Sequence, residues 1–208
     1  MIYLPSKNFR VFLGILWLLL IYPASLFLPH SATMENGIIE NLQLFVLLAS
    51  ALFFIFCFLF IYKNKIFILA SSFFILIFGR EISWGRIFFE IGQKDGEPVY
   101  ISLRDIPLYP LIYTTIAILC LITLYGLIRW VPWRKCLYKI PFPIGEFFLI
   151  SILSDIAILC DKYLYQQHQL EELAELGLYI LISLTSIYYT FKLANLTENS
   201  INSLPENK

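Results

Sequence analysis

The chain has 208 residues, 59% of them hydrophobic and 17% aromatic, and only 14% charged. A soluble domain of this size needs more polar surface to cover its core, so the composition excludes one and points to a membrane protein of a single domain. Fifteen Lys and Arg balance fifteen Asp and Glu, which leaves no basic excess to bind nucleic acid.

Six stretches approach the roughly 20 apolar residues that a spanning helix needs. The first runs from Val11 to Leu28 and contains Pro23, a kink signal. Lys7 and Arg10 precede it as in a signal peptide, but Pro29-His30-Ser31-Ala32 is a poor cleavage site, so it reads as a retained helix, with His30 in a loop. The second runs from Ile38 to Tyr62, and the third from Ile66 to Gly79 before the chain turns charged. Gly92, Gly96, Pro98 and Pro107 then mark a loop over 88–107, in which Val99 to Leu103 alternates as a strand or flap would. The fourth runs from Leu108 to Ile128, the fifth from Phe142 to Cys160 and the sixth from Leu173 to Ala194. From Thr197 the chain is rich in Asn, Ser and Glu and reads as a disordered tail. The fold class is therefore all-α: a polytopic bundle of about six transmembrane helices over residues 1–196, with a polar cytoplasmic tail over 197–208.

Lys and Arg give the orientation. With the N-terminus inside, the inner segments hold Lys7, Arg10, Lys63, Lys65, Arg129, Arg134, Lys135, Lys139, Lys192 and Lys208, against Arg80, Arg86, Lys94, Arg104 and Lys162 outside. Both termini are then cytoplasmic, and Trp130 and Trp133 sit at the inner interface as anchors. Cys57, Cys120, Cys136 and Cys160 are widely spaced with no C-x-x-C, and they read as small hydrophobes rather than a zinc or disulfide framework.

Counting along each helix puts several polar groups at one height. At 1.5 Å per residue from the inner boundary, Glu81 lies roughly 22 Å up, Asp155 roughly 20 Å, Glu175 roughly 25 Å and Gln43 roughly 28 Å, with Glu40 one turn above. Charges in the outer third of a bilayer should pair or face water, so this layer is the candidate site. Glu40 and Gln43 share a helix face at i and i+3. Arg80 and Arg86 flank Glu81 and Ser83, with Gly79 and Gly85 permitting close approach. His168, Glu172 and Glu175 form one stripe at i, i+4 and i+7, and Asp161 tops the fifth helix.

Each group also has a plainer role open to it. Glu40 and Gln43 can cap a helix, and Arg80 and Glu81 can form a structural ion pair between helices; Glu81 is expected to point inward and Arg80 to seek an acid on another helix, Asp155 or Glu40. Trp84 suits an interfacial belt. The stripe from His168 can be a solvated first turn favoured by the helix dipole. Glu146, near the inner interface, is expected to face Arg134 or Lys139.

Two histidines cannot build a three-His zinc site, and H-E-x-x-H and G-x-S-x-G are absent. Glu40-Asn41-Leu42-Gln43 and Glu81-Ile82-Ser83-Trp84-Gly85 resemble motifs of small bacterial multi-pass inner-membrane proteins to which no activity is attached. That resemblance covers the first half of the chain and the Glu-rich start of the last helix, and it implies a location in the bacterial inner membrane.

Three functions remain open. One is a structural or assembly role in which the polar layer locks helices together. The second is an enzyme acting on a lipid or lipid-linked headgroup of the outer leaflet. Glu81, Asp155 or Glu175 would be its base or metal ligand, and Arg80 and Arg86 would hold a phosphate. The third is a proton- or cation-coupled transporter. For a metal, Glu40, Glu81, Glu172 and Glu175 are the candidates, and oxygen ligands favour Mg²⁺, Mn²⁺ or Ca²⁺.

Overall fold

The computed structural model describes residues 6–29, 32–33, 37–94, 97–163 and 167–202; His30 lies outside them. Helices occupy all six apolar stretches. Helix α1 is Lys7–Phe27, opened by Ser6, whose hydroxyl accepts from the Phe9 amide at 3.2 Å. It runs on through Pro23. Helix α2 is Ile38–Phe56 and continues with π-helical winding over Cys57–Tyr62 until Lys63 turns left-handed at φ 47°. Asn64 then caps α3, Lys65–Glu81, by accepting from the Ile66 amide at 3.1 Å.

A 3-10 turn over Ser83–Phe88 leads to strands β1, Glu90–Lys94, and β2, Glu97–Tyr100, which pair antiparallel with an irregularity between Glu90 and Gly92. The extended run expected from Val99 thus begins earlier and pairs as a hairpin. Helices α4, Tyr109–Arg129, α5, Trp133–Lys139, α6, Ile144–Tyr163, and α7, His168–Asn202, follow. Residues up to Asn202 are helical where the sequence suggests a disordered tail; 203–208 lie outside the described residues.

The fold is all-helical apart from the hairpin. Among the described residues, four segments are long and apolar enough to cross a membrane: α1, α2 through Tyr62, α4, and α7 through Leu196. The α5–α6 pair makes a fifth if the two are one span, but they meet at 105°. Helix α3 has 17 residues, about 25 Å of rise against a hydrocarbon core of about 30 Å.

The chain forms two compact units. One holds residues up to Val46 and from Pro132 onward, with α1, α6 and α7 packed on one another. Its core joins Leu149, Leu153 and Ala157 of α6 to Leu173, Ala174, Leu176 and Leu181 of α7, with Ile21 and Ile39. Gly14 lets α1 approach Leu149 and Leu181. At Gly177 any Cβ would overlap the Trp17 ring, whose Nε1 donates to the Leu173 carbonyl at 3.0 Å. The other unit, Leu47 to Val131, is centred on Phe54, which stacks on Phe74 at 5.6 Å and lies 6.4 Å from Phe67. There the Ser71 hydroxyl donates to the Ala51 carbonyl at 3.1 Å, and the Ser72 and Thr123 hydroxyls meet at 2.9 Å between α3 and α4.

Candidate functional site

In the first unit, α2 and α7 meet through their polar head groups. Gln43 is 1% exposed. Its Nε2 donates to both the Glu172 carbonyl and Glu172 Oε2, each at 2.9 Å. His168 stands one turn before Glu172, with Nε2 3.8 Å from Glu172 Oε1 and Nδ1 3.3 Å from Glu171 Oε2. These become ion pairs when the imidazole is protonated. Glu40 lies near enough for its charge to act on Glu172. Glu175, one turn on, is half-buried. Of the residues expected in one layer, Gln43 of α2 thus meets Glu172 of α7, which His168 also faces, the charge of Glu40 acts on Glu172, and Glu171 stands beside His168. The local cause is helical period: positions 168, 171, 172 and 175 share one face of α7, and 40 and 43 share one face of α2.

Chemically this is an electronegative patch. One carboxylate is held from both sides, by an amide donor and by an imidazole, and acids outnumber the single His. It fits weakly as a metal centre. Among the described residues no three His, Cys, Asp or Glu side chains are arranged to hold an ion. Of the residues expected to hold Mg²⁺, Mn²⁺ or Ca²⁺ (Glu40, Glu81, Glu172 and Glu175), Glu172 directs its oxygens at Gln43 and His168.

Asp155 does not join this cluster. It is exposed, two positions and so about 200° around α6 from buried Leu153. Asp161 is exposed as well.

In the second unit, the end of α3 carries Arg80 and Glu81, followed by Ser83, Trp84 and Arg86. Glu81 turns inward at 11% exposure, whereas Arg80 is 74% exposed and reaches only its neighbour, Nε to Glu81 Oε1 at 3.7 Å. Within this unit, and among the described residues, Arg80 pairs with no acid on another helix: adjacent positions point about 100° apart, and Arg80 is the one facing outward. Arg86 is exposed, with no ion-pair partner among the described residues. Ser83, Trp84 and Gly85 take φ of 46°, 54° and 90° in succession. That left-handed turn folds the Trp84 ring back over Gly79, where a Cβ would lie 2.5–2.8 Å from its atoms. Gly79 thus admits the close approach of the Trp84 ring and Gly85 the bend, and Trp84 packs back on the end of α3.

The strongest polar contact escaped sequence reasoning. Glu146 does not face Arg134 or Lys139, which are exposed. It accepts from Arg10: Nη2 to Oε1 is 2.7 Å and Nε to Oε1 is 3.2 Å, with both side chains fully buried. The Arg10 guanidinium stacks on the Tyr188 ring at 3.9 Å. The Tyr189 hydroxyl donates to the Pro141 carbonyl at 2.8 Å. The missed signal is the stripe Arg10, Gly14, Trp17 and Ile21, at i, i+4, i+7 and i+11, which puts the arginine on the packed face of α1. Tyr188 follows Glu172 by sixteen residues, so the two polar contacts lie about 24 Å apart along α7, separated by apolar core. Of the cysteines, Cys57 and Cys160 are buried and Cys120 is exposed on α4. No protein-family model, curated protein or solved structure matches the chain.

Proposed function

We propose that this is a multi-pass bacterial inner-membrane protein with a structural or assembly role, in which buried polar contacts fix the helices of a rigid membrane unit. The proposed topology has six spans with both termini in the cytoplasm, on the Lys and Arg distribution. The start of α7, with Glu171 and Glu172, then faces outward as the carboxylate-rich surface, and Arg10 with Glu146 lies at the cytoplasmic end. The observation that carries this reading is Gln43. It is a buried polar side chain that directs both donors at α7, a use that locks helices and leaves it no hydrogen to offer a substrate.

Gln43→Leu tests it. Interhelical hydrogen bonds within membranes contribute about 0.6 kcal/mol each and up to about 1.7. The variant should lower the thermal midpoint of the purified protein by an amount of that order, and Glu172→Gln should lower it less. Unchanged stability in Gln43→Leu would remove the basis for a locking role.

One observation favours a second reading, an enzyme acting on an outer-leaflet lipid or lipid-linked headgroup. Beside inward-facing Glu81 the backbone holds Ser83 and Trp84 at positive φ, and such strain gathers at working sites. Exposed Arg80 and Arg86 are available to a phosphate. On that reading Glu81→Gln abolishes turnover of a phosphate-bearing lipid and leaves stability unchanged.

A further inference from the structure

Helix α5 is too short to cross a membrane, and its direction is set by its surroundings. Pro141 and Pro143 interrupt the helix, and α5 and α6 meet at 105°. The elbow between them is built, not loose. The Tyr189 hydroxyl holds the Pro141 carbonyl, and two residues into α6 Glu146 is fixed by buried Arg10. Val131 and Ile140, just outside the two ends of α5, are buried. Helix α6 packs along α1 and α7, both apolar enough to cross a membrane. A helix turned 105° from α6 runs across the direction in which α6 packs on α1 and α7.

Its faces are sorted accordingly. At 100° per residue, Trp133 and Leu137 share one side, and Lys135 and Lys139 share the opposite side. Arg134 and Tyr138 lie between them. Trp133 and Leu137 are 49% and 75% exposed, an apolar stripe that is half-covered at Trp133 and open at Leu137. Arg134, Lys135 and Lys139 are all exposed, and none has an ion-pair partner among the described residues. No acidic residue occurs between Asp105 and Glu146 to neutralise them. An apolar stripe opposite a cationic one, at a membrane boundary, matches the chemistry of an anionic lipid surface: acyl chains below, phosphates beside the cations.

We propose that α5 is an interfacial helix that lies in the membrane surface and binds anionic phospholipid headgroups through Arg134, Lys135 and Lys139. Trp133 and Leu137 enter the top of the acyl region, and the Lys side chains reach back to the phosphates. This goes beyond the locking role proposed above, because it assigns a lipid-binding surface that the packing of α1, α6 and α7 does not need.

Two measurements on the full-length protein test it. In the first, detergent-solubilised protein is offered phosphatidylglycerol and phosphatidylcholine, and retained lipid is counted by native mass spectrometry. The wild type should retain phosphatidylglycerol preferentially, and the triple variant Arg134→Gln, Lys135→Gln, Lys139→Gln should lose that preference by at least about fivefold. Equal preference in both proteins, or none in the wild type, overturns the proposal. In the second, the protein is placed in vesicles of phosphatidylcholine and phosphatidylglycerol with brominated acyl chains, and Trp133→Phe isolates the Trp133 fluorescence. Quenching by bromines near the headgroup, and not by those near the chain end, is the expected result. Quenching by the deep bromines would make α5 part of a broken span, and no quenching by either would place it in water; each outcome sinks the proposal.

Discussion

Arg10 donates two hydrogen bonds to a single oxygen of Glu146, at 2.7 and 3.2 Å, and neither side chain meets solvent. The other carboxylate oxygen is buried, with no hydrogen-bond partner among the described residues. This contact ties α1 to α6, and the stack of Arg10 on Tyr188 ties both to α7. A lone charge there would be costly, so the three helices depend on one another for their buried polar groups. Locking of helices by polar contacts thus occurs at two levels of one unit, here and at Gln43 with Glu172.

Arg80 should contribute little to stability. Its side chain is largely exposed and its nearest carboxylate atom is 3.7 Å away on the adjacent residue. Pairs of this kind contribute between zero and about 1 kcal/mol. Arg80→Ala is expected to unfold within a degree or two of the wild type. A loss as large as that of a buried pair would mean that Arg80 has a partner on another helix after all.

Gly177 should tolerate no side chain. A Cβ there meets the Trp17 ring, and the ring cannot withdraw without breaking its bond to the Leu173 carbonyl. Gly177→Val is expected to destabilise by about 1–3 kcal/mol, the range for overpacked cores. Trp17→Ala in the same chain should relieve the clash. If the double variant is no more stable than the sum of the two losses predicts, the packing of α1 on α7 is misread. The check is thermal unfolding of the single and double variants.

The left-handed turn after α3 should discriminate by backbone preference. Ser83 sits at φ 46°, where a β-branched residue is most strained and glycine is at ease. Ser83→Gly should equal or exceed the wild type in stability, and Ser83→Val should fall below it. A left-handed residue costs roughly 1–2 kcal/mol relative to glycine, which sets the scale of the difference. The reverse order in unfolding experiments would exclude this turn.

The sequence made the helices legible because apolar length and proline position report them directly. Each of the six apolar stretches is helical, with bounds shifted by a few residues except at the end of α7. It made half of the polar cluster at the start of α7 legible too, since i, i+3 and i, i+4 spacing fixes which side chains share a face. Asp155 shows what height alone leaves out. Counting residues gives depth along a helix, but the direction around it depends on which face packs, and Leu153 packs inward. Arg10 shows the opposite failure. A cation near the start of a first span reads as a topology signal, so its place on the buried stripe of α1 went unnoticed. Glu146 had an obvious choice of cations nearby in sequence, and the fold supplied one 136 residues away.

The most direct test of polar locking is a double-mutant cycle between Arg10 and Glu146, read by unfolding in detergent or bilayer discs. Arg10→Met and Glu146→Leu should each destabilise by about 3–5 kcal/mol, because each strands a buried charge. The double variant should lose far less than the sum, since two apolar side chains of similar volume leave no charge unpaired. Losses that simply add, with coupling near zero, would mean that the two residues do not share a buried contact, and the account of the helix bundle as a polar-locked unit would be wrong.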